Sequence, residues 1–527
     1  MSESTTEVLI VGAGPTGLML ACDLQRRKVP FRIVDRSETP SQQSRALGLQ
    51  ALSLEVFDDL GFVEQFLESG VVIKAVSCYE AGMLGSRFEL ETEPGQEAPY
   101  PYLVIVEQHV TEAILSNHLR RQGAVVERGV ELKQLEYQPD QVRSKLRCPT
   151  GEEEYVRSSF VVGCDGAHSC VRRLSNIGFQ GDNSHLLYHL ADLEIAWELP
   201  DKEILRLSDG QGEVVAIPLH GERRYRLNLW EPAPVSGKPT RELSFGALEA
   251  PLDLAAWQET LQRLAPGQVT LSNPRSLMSY RSGYGLAEAY RQGRIFLAGD
   301  SSHMIPQSAA QGMNMGIQDA YNLGWKLGLV IRGDAPIELL ETYQTERRPV
   351  AQLALAPTIC DPSLAGKATH LESREALDKW SQLGLDYRQS SLSLRTVHDG
   401  QKIGAGHRAP DGELALEGHS VFLYDLLDGR HHHLLVFSDG DDPGLEKFVR
   451  GVKAERYPAL RIHLVGIGSD AMLDRDSLLH RAYAAGHGHL ILIRPDRFIA
   501  VRATLAESEH LLGYLAEHFI PQSHGFQ

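Results

Sequence analysis

The apolar run Val8–Val11 passes directly into Gly12-Ala13-Gly14-Pro15-Thr16-Gly17, and nothing else in the chain restricts its fold as much. A continuous apolar run fits a parallel strand buried on both faces. The Gly-x-Gly-x-x-Gly spacing then fits a tight turn into a helix, predicted over Leu18–Arg27. A second run, Phe31–Val34, ends at Asp35 and completes a strand–helix–strand unit. In such a unit Gly12 permits the turn, Gly14 lets backbone approach a pyrophosphate, and Gly17 lets helix and strand pack closely. The phosphates rest on the helix N-terminus, where free N–H groups and the dipole favour negative charge. An acid placed like Asp35 accepts a hydrogen bond from an adenosine ribose hydroxyl. These residues therefore read as a dinucleotide site. A purely structural glycine turn leaves Asp35 unexplained.

With 527 residues the chain has room for roughly three or four domains. Its 52 Lys and Arg against 69 Asp and Glu give a net charge of −17, a poor basis for contacting nucleic-acid phosphates. None of the six cysteines (Cys22, Cys78, Cys148, Cys164, Cys170 and Cys360) forms a Cys-x-x-Cys pair, so reduced thiols in a cytoplasmic protein are expected. The first residues lack a basic signal-peptide region, and the longest apolar stretches are strand-length. A soluble protein with no membrane partner is the expectation.

Further helices are predicted at Leu49–Leu60, Val110–Arg121, Met313–Val330 and Glu338–Leu355, and strands at Phe160–Val162 and Ile295–Ala298. Alternating stretches such as Val214–Leu219 and Tyr225–Trp230 suggest an antiparallel sheet with one face covered. The predicted organisation is α/β. A discontinuous dinucleotide domain takes 1–75, 100–180 and 285–360, and a sheet domain of 76–99 and 181–284 is inserted into it. Residues 361–400 read as a connector and 401–527 as a third α/β unit, with strands at Leu434–Phe437, His463–Val465 and Leu490–Ile493. Gly466–Ala471 imitates a second fingerprint, but no acid closes a second strand after it, and it is not read as a nucleotide site.

Three motifs follow one another: the fingerprint, an Asp165-Gly166 turn after a strand, and Gly299-Asp300 after the strand in GRIFLAGDSSH. With the strings QGMNMGIQDAYNLGWKL and ERRPVA, the chain resembles the class A flavoprotein aromatic hydroxylases. Within them it is most similar to the phenol, hydroxyphenylpropionate and polyketide hydroxylases that carry a C-terminal thioredoxin-like domain. The resemblance implies a Rossmann-like FAD domain of the para-hydroxybenzoate hydroxylase type, with the inserted sheet over the flavin. It implies non-covalent FAD, NAD(P)H as co-substrate, O2, and a phenolic or polyketide-like substrate hydroxylated through a flavin C4a-hydroperoxide. A homodimer is left open. Beyond the fingerprint residues and Asp35-Arg36, it implies that Arg45, Gln108, Asp165, Gly299, Asp300, Pro306, Gln311, Gly312, Met313 and Asn314 surround the cofactor. Asp300 would accept from the ribityl chain. The helix starting near Gly312 would aim N–H groups at the flavin pyrimidine carbonyl. Asp165 and Asp300 also suit plain turn capping.

Pro306-Gln307-Ser308-Ala309-Ala310-Gln311-Gly312 departs from the family's Pro-Pro-x-Gly-Gly-Gln-Gly loop. Arg45, Pro306 and Gln307 are the candidate catalytic residues on the flavin's front face, with Gln307 tuning the oxygen chemistry. His303 reads as a structural support. His431, His432 and His433 alternate faces along a strand and cannot converge on one metal ion. The tail contains no cysteine, so dithiol exchange is excluded. A Baeyer–Villiger-type oxygenase or an oxidase on the same scaffold is the rival enzyme, and a non-catalytic flavin-binding or ligand-sequestering protein the rival of another class. A flavin halogenase is disfavoured because its Trp-x-Trp-x-Ile-Pro string is missing.

Overall fold

The structure, a computed structural model, describes residues 3–41, 44, 46–90, 98–232, 248–306, 311–360, 381–396, 403–416, 418–466, 472–474 and 477–521. Side chains 183–185, 248 and 357–360 are outside the description. Also outside it are Arg45, Gln307 with its neighbours 308–310, most of the predicted connector, and nearly all of the Gly466–Ala471 stretch.

The fingerprint strand, Glu3–Val11, lies between parallel strands Glu153–Gly163 and Phe31–Asp35, and Ile295–Leu297 continues the sheet beyond Glu153–Gly163. Val8, Leu9 and Ile10 are completely buried, as a strand covered on both faces requires. The helix after the turn runs Pro15–Arg26, three residues ahead of the predicted start. Proline suits that first position because it has no N–H to leave unpaired there. The long helix Gly312–Arg332 packs along Pro15–Arg26, and it is buried on every side from Asn314 to Leu329.

The second sheet has nine strands. Two strands of 18 residues, Phe179–Ala196 and Thr270–Ala287, form its backbone and run out of the dinucleotide domain. It is antiparallel except at one place: Ala75–Glu80 runs parallel to Glu203–Ser208, a correction to the all-antiparallel expectation. Ala75–Glu80 arrives from the first domain instead of through a hairpin, so its direction is not set by its neighbour. Helix Leu254–Leu264 covers one face with Trp257, Leu261 and Leu264, and Asp253 caps it by accepting from the Ala256 N–H at 2.8 Å. Strand alternation sends Tyr225 and Leu227 into that core and Arg226 and Asn228 to the opposite face.

The last unit has a four-stranded sheet in the order Leu460–Gly466, His432–Ser438, His489–Ile493, Ile499–Thr504. The first pair is parallel across helix Pro443–Ala454, and the other pairs are antiparallel. Helix Ser508–His518 follows the final strand. Leu392 packs in this unit's core and Ser390 bonds to Glu346, so the described end of the predicted connector is part of the packed body. No helix among the described residues is long and apolar enough to cross a membrane.

Candidate functional site

A cavity of about 540 Å3 opens where the fingerprint turn faces the second sheet. The three fingerprint glycines do three separable things. Gly12 has φ +104°, and a Cβ there would run into the Cys164 carbonyl. A Cβ at Gly17 would meet the Gly12 carbonyl. At Gly14 a Cβ would meet nothing within 4 Å, because that position looks into the cavity. Among the described residues no side chain caps the helix that begins at Pro15, so its first N–H groups are left for a ligand. This is a cradle shaped for a phosphate, and the residues fit a bound dinucleotide.

The rest of the wall comes from distant segments. Pro15 and Thr16 follow Gly14, Gln108 enters from helix Gln108–Arg121, and Asp300 and Pro306 come from the third motif and the segment after it. Gln311, Gly312 and Met313 contribute the uncapped first turn of the long helix, so a second positive helix end points at the same space. Gly299, at φ +65°, and Gly316 lie so close to Thr16 that a Cβ on either would strike its hydroxyl. That contact sets the Gly-Asp turn against the fingerprint helix.

Other predicted residues stand behind the wall. The Asp35 carboxylate accepts from the Ala13 N–H at 2.7 Å and the Ser37 N–H at 2.8 Å, holding the turn. Arg36 is exposed beside it. Asp165 accepts from Ser169 Oγ at 2.5 Å and from the Cys170 and Val171 N–H groups at 2.6 and 3.1 Å, which is the capping role. The Asn314 amide donates to the Gly48 carbonyl at 2.8 Å and accepts from the Gln50 N–H at 2.9 Å, so its side chain joins two segments instead of lining the cavity. Gln108 does similar work: its N–H donates to Ser44 Oγ at 2.9 Å and its Oε1 accepts from the Ala46 N–H at 3.4 Å. Arg45 falls between these two anchored residues.

His303 is fully buried, with Nε2 2.6 Å from Asp319. Arg347 holds the other Asp319 oxygen at 2.7 Å. Burial pushes the Asp319 carboxyl up, but His303 and Arg347 outweigh it and bring it down to about 2. His303 is thus a support below the Gly-Asp turn, as predicted. Burial pushes the thiol of the cavity-lining Cys164 well above its ordinary range, which disfavours the reactive thiolate. In the tail, His431 and His433 turn toward Asp428 while His432 packs edge-on against Trp325 and Phe519.

The family strings hold a different surprise. Asn322, Trp325 and Lys326 of the long helix do not approach the cavity. They meet Glu346 and Asp496 across the joint with the tail, where Arg494 bonds both acids at 2.6 Å. Sequence reading also missed Arg226 and Asn228, which line the cavity from the second sheet. Their only signal is the alternation in Tyr225–Trp230, which marks a polar face without saying that it is roofed.

The family described as FAD binding domain matches residues 5–358. The chain is 31% identical to pentachlorophenol 4-monooxygenase of Sphingobium chlorophenolicum, over 96% of this chain and 95% of that protein. It is 30% identical to 6-methylpretetramide 4-monooxygenase of Streptomyces rimosus, over 98% and 94% respectively. Among solved structures, the flavin-dependent monooxygenase PieE in complex with FAD and substrate superposes with a TM-score of 0.81 at 21% identity, covering 98% of this chain and all 100% of that one, which establishes the shared fold. The fold and cradle define an FAD-binding enzyme. The chain belongs to the FAD-dependent flavoprotein monooxygenases, the aromatic hydroxylase class.

Proposed function

We propose that this protein hydroxylates the ring of a phenolic or polyketide-like aromatic substrate, adding one oxygen atom of O2 to a ring carbon while the other leaves as water, with NAD(P)H as reductant. One observation carries the reading: two uncapped helix starts and a roofed polar patch on the second sheet face the same cavity. When bound, FAD would supply the redox chemistry, accepting reducing equivalents from NAD(P)H and activating dioxygen at its C4a position. The chain does the rest. Gly14 leaves room for the pyrophosphate, and the Thr16 and Gly17 N–H groups are placed to hold it. The start of Gly312–Arg332 favours negative charge on the reduced ring. Leu103, Ile105, Ile204 and Ile217 line the cavity with apolar surface that excludes water. Arg45, Pro306 and Gln307 are the proposed front-face residues, and Arg45→Ala should slow flavin reduction more than it lowers FAD content.

The names of the relatives support an aromatic or polycyclic substrate, since one acts on pentachlorophenol and another on 6-methylpretetramide. The tail reads as thioredoxin-like, supported by its β-α-β and β-β-α order, with packing as its role because it has no cysteine. The test is NAD(P)H oxidation by the purified flavoprotein across a panel of hydroxyaromatics, with product masses. Stimulated oxidation with a gain of one ring oxygen supports the proposal. A ring-expanded lactone, or no stimulation by any member, sinks it.

A further inference from the structure

Among the described residues, two polar atoms on the cavity wall have no hydrogen-bond partner. Arg226 is 1% exposed, and Asp192, directly opposite on the neighbouring strand, takes its Nε and one Nη at 2.6 Å each. The other nitrogen, Nη1, is buried with no hydrogen-bond partner among the described residues. Asn228, two residues along the same strand face, has its buried amide oxygen in the same condition. Both residues line the cavity. Buried donors and acceptors are rarely left unmade, because each loses its bonds to water without replacement. A ligand that enters displaces whatever water reaches them and must itself supply both bonds.

The chemistry of the pair is specific. Arg226 offers only a donor, and Asn228 presents an acceptor oxygen. Residues two apart on a strand are roughly 7 Å apart at their Cα atoms, and these two point the same way. Asp192 neutralises the guanidinium charge at contact distance, so the oxygen that Arg226 receives need not be a full anion. Ile204, Ile217 and Tyr280 line the same cavity.

We propose that Arg226 and Asn228 form a two-point recognition site for a hydroxyaromatic with two oxygens meta to each other. One oxygen, carbonyl or phenolate, accepts from Arg226 Nη1, and the other, a hydroxyl, donates to Asn228 Oδ1. Meta oxygens are spaced between adjacent and opposite ring positions and diverge from one ring edge, which suits two groups on alternate residues of one strand face. Asp192 is the positioning residue that fixes which guanidinium nitrogen faces the ligand. The proposal rests on reading this cavity as the substrate site of the oxygenase.

The test measures binding, without turnover, to the full-length FAD-loaded protein. The probes are 1,3-dihydroxynaphthalene and 1-naphthol, followed by calorimetry and the flavin spectrum. Wild type should bind the diol about tenfold more tightly. Asn228→Leu should erase most of that preference while leaving 1-naphthol unchanged, and Arg226→Met should weaken both ligands. Because Arg226→Met strands a buried Asp192, the double variant Asp192→Leu/Arg226→Met is run beside it, with FAD content reporting the fold. Equal affinity of wild type for the two probes, or an equal loss of both in Asn228→Leu, overturns the proposal. If ring oxygenation is observed without the diol preference, only the recognition site falls. If the preference appears without oxygenation, the site stands and the assigned reaction falls.

Discussion

The joint around Glu346 and the pair Asp192–Arg226 are both buried ion pairs, but they differ in what is left over. At the joint, Glu346 accepts from Arg494, Lys326, Asn322 and Ser390, while Asp496 accepts from Arg494, Asn322 and Trp325. Burial pushes the Glu346 carboxyl up, but Arg494 and Lys326 hold it below the ordinary carboxylate range. Burial brings Lys326 down to about 8, against the pull of Glu346. The joint is complete within the chain. On the cavity wall, by contrast, one guanidinium nitrogen and one amide oxygen are unmade. A complete cluster holds two parts of the molecule together, whereas an incomplete one facing a cavity is disposed to bind something else.

The largest expected effect breaks the complete cluster. Glu346→Leu strands Lys326 and one side of Arg494, and should cost about 3–5 kcal/mol in a denaturation experiment. A loss below about 1 kcal/mol would mean that the joint is not the closed network described here. The fingerprint glycines give a sharper contrast. Gly12→Ala meets backbone at a positive φ and should destabilise the apoprotein. Gly14→Ala fits the apoprotein without contact and should leave its melting temperature unchanged. Its methyl group occupies the cradle, so FAD should bind roughly tenfold to a hundredfold more weakly. If the two variants lose stability and FAD in parallel, the distinction between turn and cradle is wrong.

A smaller effect comes from the support under the Gly-Asp turn. His303 and Arg347 hold the Asp319 carboxyl at about 2 in the folded protein, below the ordinary aspartate value of about 3.9. As pH falls, the unfolded chain therefore binds this proton first. The stabilisation, about 2 kcal/mol, should be present above about pH 4 and lost on going down to about pH 2. Asp319→Asn should remove that part of the acid titration. An unchanged acid limb would show that the His303–Asp319–Arg347 cluster does not set it.

The strand–helix–strand start, the inserted sheet and the tail strands were all legible, because periodicity and the glycine spacing are local. The division of labour among motif residues was not. Asn322 and Trp325 sit in a string that resembles a flavin signature, yet their partner Asp496 lies more than 170 positions away, a pairing that no local pattern reveals. Asp165 and Asn314 have side chains suited to a ligand or to backbone, and the folded chain uses them on backbone. Arg226 is the converse case. A polar face on an alternating strand ordinarily means solvent, and only the packing of the sheet against the fingerprint domain turns that face into a cavity wall.

The proposed reaction, in which FAD, dioxygen and a hydroxyaromatic ring meet in this cavity, leaves an isotopic signature. The most direct test supplies the FAD-loaded protein with NAD(P)H and a hydroxyaromatic under 18O2, and weighs the product. One 18O atom on the ring, with NAD(P)H consumed in step, is the expected result. If no product of the panel carries label while NAD(P)H is oxidised and 18O2 is reduced to an equal amount of labelled hydrogen peroxide, the protein is an oxidase and ring hydroxylation is contradicted.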